Sequence, residues 1–202
     1  MSKAAYANII GDEDLANSLP RQNRLLRTYK QIVEEILKRQ FKGQLLDTGC
    51  GNNSFITAAK DFDIEGKGID YKDVNFEKDP FPFEASSFDF VTANALVEHI
   101  REPNIYFSEV KRVLQEGGLF LLTTPNWELS HKTFYNDPTH CHPYTRLGLT
   151  AQLSCHGFQV LFLEPNFICR PRFMWKMPLR WTIPMGTRSM LCVALKPHTT
   201  PE

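Results

Sequence analysis

The chain has 202 residues, 42% hydrophobic and 23% charged, which suffices for one globular domain and excludes a disordered, collagen-like or disulfide-stapled chain. Lys plus Arg number 23 and Asp plus Glu number 23, so global charge gives no reason to expect a nucleic-acid partner. No stretch approaches the ~20 apolar residues of a membrane span, and the first residues, MSKAAYANIIGDEDLANS, lack the apolar core of a secretory signal. The five cysteines (Cys50, Cys141, Cys155, Cys169, Cys192) form no C-x-x-C pair, the pattern expected of free thiols in a reducing cytoplasm.

Residues 1–19 lack periodicity and are expected to form a flexible arm, with 20–202 as a single domain. From Arg21 the residues Leu25, Leu26, Tyr29, Ile32, Val33, Ile36 and Leu37 recur at helical spacing, and Lys42-Gly43 reads as the stop. GQLLDTG predicts a buried strand entering a turn, residues 54–62 a short helix, and GKGID at 66–70 a second strand. FDFVTAN at 88–94 predicts a strand covered on both faces. Residues 103–115 predict a helix closed by Gly117-Gly118, and 118–126 the next strand. Thr145 to His156 predicts a helix, and FQVLFLEP and MLCVALKP the last strands. Alternating strands and helices predict an α/β doubly wound sheet. Between Asp70 and Phe88, the segment holding Pro80 and Pro82 is too short for a full crossover helix plus a strand, so that helix is expected to be missing or reduced to a turn.

LLDTGCGNNSF at 45–55 carries the most chemistry. Gly49 and Gly51 stand at a strand-to-helix turn, where a missing Cβ lets backbone approach a ligand. A dinucleotide site of the form G-x-G-x-x-G has a third glycine where this chain has Ser54. Asp47, just before the turn, repels a pyrophosphate and suits a cation such as a sulfonium amino acid. Asp70 ends the next strand, where an acid accepts both hydroxyls of a ribose. The two carboxylates together favour a positively charged nucleoside without phosphate.

These residues resemble the class I S-adenosylmethionine-dependent methyltransferases, particularly the small-molecule enzymes called type 11. LLDTGCGNN and GIDY at 68–71 resemble the family's first two motifs. PFPFEASSFDFV at 80–91, ANALVEHI at 93–100, EVKRVLQEGGLFLLTTPN at 109–126 and HPYTRLGLTAQLSCHGFQV resemble the segments that follow, in family order across residues 45–163. The resemblance implies a Rossmann-like, mostly parallel sheet of about seven strands with the last antiparallel and helices on both faces. It implies S-adenosylmethionine as methyl donor, S-adenosylhomocysteine as product, and transfer to an oxygen or nitrogen of a small-molecule, lipid or glycan acceptor. It places Asp47, Gly49 and Gly51 at the methionine end, Asp70 on the ribose, and Tyr71 beside the adenine. Asp79 and Phe81 are candidates for the adenine contact, and Asn94 and Ala95 fall near the sulfonium. A non-catalytic protein of the same fold that binds the donor is the alternative; a nucleotide-dependent oxidoreductase is disfavoured by Asp47 and Ser54.

Methyl transfer is an in-line displacement that good positioning alone can accelerate, so no protein base is obligatory. The base candidates are His99 in VEHI and His140 and His142 in DPTHCHPYT. No metal site is expected, because no paired Cys or His stands at ligand spacing to complete a set with His140 and His142. Residues 170–188, RPRFMWKMPLRWTIPMGTR, hold Arg170, Arg172, Lys176, Arg180 and Arg188 and no acid. This insertion reads as a peripheral membrane contact, as a wall over an apolar acceptor, or as a packed loop with snorkelling cations. The oligomeric state is not set by any of these features.

Overall fold

The computed structural model describes residues 15–165 and 188–198. Helix α1 (Leu15–Gln31) runs into a wider π-helical turn, Ile32–Ile36, and buries Leu25, Leu26, Tyr29, Ile32 and Val33. It begins at Leu15 rather than Arg21 and stops well before Lys42. The Leu37 N–H closes the last turn on the Ile32 carbonyl at 3.0 Å, and Lys38 takes a left-handed φ of +56° that ends the helix. Gly43, read both as part of the helix stop and as the first residue of the GQLLDTG strand, does only the second and opens that strand.

Among the described residues the sheet has six strands: β1 (Gly43–Thr48), β2 (Ile64–Ile69), β3 (Phe88–Asn94), β4 (Leu114–Pro125), β5 (Gln159–Pro165) and β6 (Ser189–Leu195). Their order is β2-β1-β3-β4-β6-β5. β1 lies parallel to both β2 and β3, β3 is parallel to β4, and only β6 runs against its neighbours. The mostly parallel sheet with a reversed last strand is the predicted architecture. Among the described residues the strands number six, against about seven expected, and the segment between β2 and β3, where a shortened crossover was expected, forms turns and no strand. That segment still matters to packing: Phe76 and Phe81 stand edge-on to Tyr106, at 5.6 and 5.9 Å between centroids.

Helices cover both faces. On one, α1 and α2 (Ser54–Ala59) bring Leu26, Tyr29, Phe55 and Ala59 against Leu45, Phe90 and Leu121. On the other, α3 (Asn104–Val113) and α5 (Arg146–Cys155) bring Tyr106, Val110, Leu149 and Leu153 against Leu46, Val91 and Phe120. Successive residues Leu45/Leu46 and Phe90/Val91 thus serve opposite faces, as the strand period requires. A short helix, α4 (Trp127–Ser130), follows β4.

The Gly117-Gly118 pair does not close α3, which already ends at Val113. It sits in a bulge of β4, where Phe88 pairs with Leu114 but Phe90 with Leu119. Gly117 has φ +75°, and a Cβ on Gly118 would stand 2.9 Å from the Gln115 carbonyl oxygen. Strand order reverses between β1 and β3, one leading outward to β2 and the other to β4. In such sheets ligands bind beyond the carboxyl ends of the strands at that reversal.

Candidate active site

At the carboxyl end of β1 the chain turns sharply through Gly49 (φ +75°) and Gly51 (φ +50°) into α2. The Gly49 N–H donates to the Ile69 carbonyl at 2.8 Å, tying the turn to the end of β2. A Cβ on Gly49 would meet Leu96 at 3.1 Å, whereas one on Gly51 would meet nothing within 4 Å. Gly49 is therefore fixed by packing, and Gly51 faces open space.

Asp70, at the tip of β2, stands beside that opening. One carboxylate oxygen accepts from the Gly51 N–H at 2.9 Å and the other from the Tyr71 N–H at 2.6 Å. Each oxygen carries a second lone pair, so the group keeps the capacity to accept two more donors.

Asp47 is buried, with 3% exposure, and its Oδ1 accepts from the Thr92 hydroxyl at 2.6 Å and the Asn94 amide at 3.5 Å. Burial, reinforced by the Asp70 charge, pushes its carboxyl up to about 7 against the pull of the Thr92 and Asn94 bonds. Asn94 is oriented in turn by the Tyr29 hydroxyl, which donates to its Oδ1 at 2.7 Å. A chain of hydrogen bonds thus runs from α1 through β3 to the acid of β1. Tyr29 and Thr92 were legible in the sequence only as core positions. A tyrosine buried on a helix's apolar face needs a partner for its hydroxyl, and that was the available signal.

The other predicted ligand residues separate. Tyr71 is half-buried and packs edge-on to Phe76 at 4.8 Å. Asp79 is exposed and accepts from the Asn75 N–H at 2.9 Å, pinning the turn that carries it. Phe81 lies in the core at 3% exposure, its N–H bonded to Glu109 at 2.6 Å. Asn94 and Ala95 line a cavity of about 250 Å³ between α1 and the ends of β3, β4 and β6, with Arg21, Glu98, Thr124 and Ser189 on its other walls.

His99 and His140 come together, their rings 4.7 Å apart. His99 Nδ1 is 2.8 Å from the Thr139 hydroxyl, and His140 Nδ1 is 2.6 Å from the Phe134 carbonyl oxygen. His142 stands apart, stacked on Tyr144 at 4.5 Å with Nδ1 3.4 Å from the Arg101 carbonyl oxygen. Glu98 is 1% exposed and accepts from the Thr124 hydroxyl at 3.0 Å. Its carbonyl oxygen accepts the N–H groups of Cys141 and His142, at 2.9 and 3.0 Å, and so clamps the histidine loop onto the β3 tip. The basic stretch 170–188 lies outside the described residues apart from Arg188, as do residues 1–14 of the expected arm. Among the described residues no helix is long and apolar enough to cross a membrane.

Known proteins are similar to this chain in sequence and fold. A Mycolicibacterium smegmatis protein named a "probable S-adenosylmethionine-dependent methyltransferase" is 26% identical over 162 residues, 70% of this chain. The chain spans 62% of that relative's length, and 41% and 50% of two uncharacterized relatives from Streptomyces fradiae and Methanocaldococcus jannaschii. The fold is similar to that of a SAM-dependent methyltransferase from Archaeoglobus fulgidus (TM-score 0.60, 19% identity, 86% of this chain and 94% of that one). It is similar too to Haemonchus contortus phosphoethanolamine N-methyltransferase 2 in complex with S-adenosyl-L-methionine (TM-score 0.56, 19% identity, 83% of this chain and 51% of that one). Residues 21–163 match the family model described as a methyltransferase domain, and the chain belongs to that family.

Proposed function

We propose that this chain transfers the methyl group of S-adenosylmethionine to an oxygen or nitrogen of a small-molecule, lipid or glycan acceptor. The observation that carries this reading is the pair of carboxylates flanking the glycine turn, Asp47 inside and Asp70 at the opening. A buried acid held near neutrality suits a cationic ligand, and an acid with spare acceptor sites at a strand tip suits a ribose. When bound, S-adenosylmethionine supplies a methyl group on a positive sulfur that departs as a neutral thioether.

In this reading Asp47, oriented by Thr92 and Asn94, holds the methionine end, and the open space at Gly51 admits the ligand against backbone. Asp70 accepts the ribose hydroxyls, Tyr71 flanks the adenine, and Asp79 on its exposed turn is placed for the adenine edge. Phe81 supports that turn from the core. Asn94 and Ala95 serve the cavity where acceptor and methyl group meet. None of His99, His140 and His142 lines that cavity, whereas Glu98 does, which supports catalysis by alignment of the reactants without an obligatory histidine base. The lipid option draws on the cations, tryptophans and methionines of residues 170–188, and a cytoplasmic setting on the scattered thiols.

Calorimetric titration with S-adenosylmethionine and S-adenosylhomocysteine, with NAD as control, tests the reading. Micromolar binding of both sulfur ligands and none of NAD is expected, and Asp70→Ala is expected to weaken it by ~1–3 kcal/mol by removing charge-assisted hydrogen bonds. Folded protein that ignores both ligands would sink the proposal. Binding without methyl transfer to any acceptor class would leave the non-catalytic alternative in its place.

A further inference from the structure

We propose that Glu98, His99 and His140 form a divalent-metal site beside the cavity, with zinc as the ion their chemistry suits. One ligand-capable atom from each of the three residues lies within 4.8 Å of the others. The sequence offered no such set, because it pairs His140 with His142 and hides Glu98-His99 in another segment. The fold makes the association by clamping Cys141 and His142 onto the Glu98 carbonyl oxygen.

The protonation pattern supports the assignment. The Thr139 hydroxyl sits 2.6 Å from Asp137 Oδ1, to which it gives its single proton. Its oxygen can therefore only accept from His99, making Nδ1 of that ring the N–H nitrogen. The Phe134 carbonyl oxygen is an acceptor as well, so Nδ1 of His140 also carries its proton. With Nδ1 of each ring held by a carbonyl or a carboxylate-linked hydroxyl, Nε2 is the nitrogen a metal would take, displacing the 3.8 Å approach of His140 Nε2 to Asp137. The Asp137–Thr139–His99 relay is the kind of outer support that fixes a ligand's ring orientation and raises its basicity.

The third member is a carboxylate with 1% exposure, and a buried carboxylate gains from a cation. Two imidazole nitrogens and one carboxylate oxygen match zinc in sites that keep a coordination position open; magnesium and calcium favour oxygen ligands. Glu98 also lines the cavity, so an ion held there has a route in and stands next to the acceptor. Its role toward the acceptor rests on the methyl-transfer reading, and the site itself does not: a bound ion would lower the pKa of an acceptor hydroxyl, which would give its proton to water, so that the oxygen forms the new C–O bond as the donor's C–S bond breaks and the neutral thioether leaves.

The test uses the full chain, freed of metal by chelator and titrated with Zn²⁺ in competition with a chromophoric chelator; Co²⁺ is added separately and read by its visible absorption. One ion per chain is expected, with cobalt bands of a low-coordinate nitrogen and oxygen environment. His140→Ala and Glu98→Gln are expected to weaken uptake at least ~100-fold, and Thr139→Val, which releases the His99 ring, ~10–100-fold. His131→Ala, at an exposed position outside the cluster, is expected to change nothing. If His140→Ala fails to fold, the cobalt spectrum of the wild-type chain and the Thr139→Val loss still decide the question. Absent or substoichiometric uptake overturns the proposal, and so does uptake indifferent to these substitutions. In that case His140 Nε2 keeps its 3.8 Å approach to Asp137 and takes no ion. Zinc uptake in a chain that ignores S-adenosylmethionine would leave the site standing and remove only the function assigned to it.

Discussion

Asp47 makes the stability of this protein depend on pH in a direction unusual for a carboxylate. The folded state holds its carboxyl at about 7 against an ordinary 3.8, so the folded chain binds the proton more tightly than the unfolded chain does. Stability is therefore highest below the unfolded value, falls as pH rises between 3.8 and about 7, and stays reduced above that. The slope is about 1.4 kcal/mol per pH unit, which over the whole interval accumulates to ~4 kcal/mol. Asp47→Asn removes the titration while keeping an Oδ1 that accepts from Thr92. The stability difference between Asp47→Asn and wild type is expected to move in the mutant's favour by ~3 kcal/mol between pH 5 and pH 8. Urea unfolding of both proteins at the two pH values measures it, and the comparison cancels every other titrating group. The same variant is expected to lose S-adenosylmethionine binding, so the wild-type acid sacrifices stability for function. A difference that does not change with pH would refute the argument.

Three further outcomes follow from the same geometry. Affinity for S-adenosylmethionine is expected to rise as pH increases toward 7 and then level off, by at most about tenfold per unit, because Asp47 must lose its proton to face a cation. Calorimetry in buffers of different ionisation enthalpy would register the released proton, and a flat profile would count against the role of Asp47. Tyr29→Phe deprives Asn94 Oδ1 of its donor and is expected to cost ~1–2 kcal/mol in denaturant unfolding; an unchanged midpoint would dissolve the α1–β3–β1 relay. Gly51→Ala is expected to cost roughly 1–2 kcal/mol of backbone strain, since the added Cβ meets nothing within 4 Å, yet to weaken ligand binding more than tenfold. Equal small losses in both would mean that no ligand approaches there.

The parts of this molecule written in local pattern were readable before the structure. The succession of strand, Asp47, Gly49, Gly51, helix, strand and Asp70 is a local pattern, and so is the apolar periodicity of α1. The shortened crossover followed from the placement of Pro80 and Pro82. Features that depend on long-range geometry were not readable. The end of α1 is set by a π-turn and the φ of Lys38, and Gly117-Gly118 serves a strand bulge where local rules read a helix stop. Phe81, a candidate ligand contact by motif position, is packed against Tyr106, and no local pattern distinguishes a core phenylalanine from a pocket one. The approach of His99 to His140 and Glu98 requires the carbonyl clamp that joins two distant loops.

The brief crossover also decides what lies at the rim of the sheet. With no strand between β2 and β3, β2 is the outermost strand on that side among the described residues, and one row of its backbone donors and acceptors lacks a strand partner. Such a row can recruit a second chain. Here the rim strand reads IEGKGI, with a charge of either sign at exposed Glu65 and exposed Lys67 and glycines between and after them. A paired neighbour would have to accept both charges against its own side chains, while Gly66 and Gly68 give it no apolar surface to grip. The economy that removed one crossover is therefore matched by a border that resists self-association, and neutralising Glu65 and Lys67 together would turn it into an adhesive one.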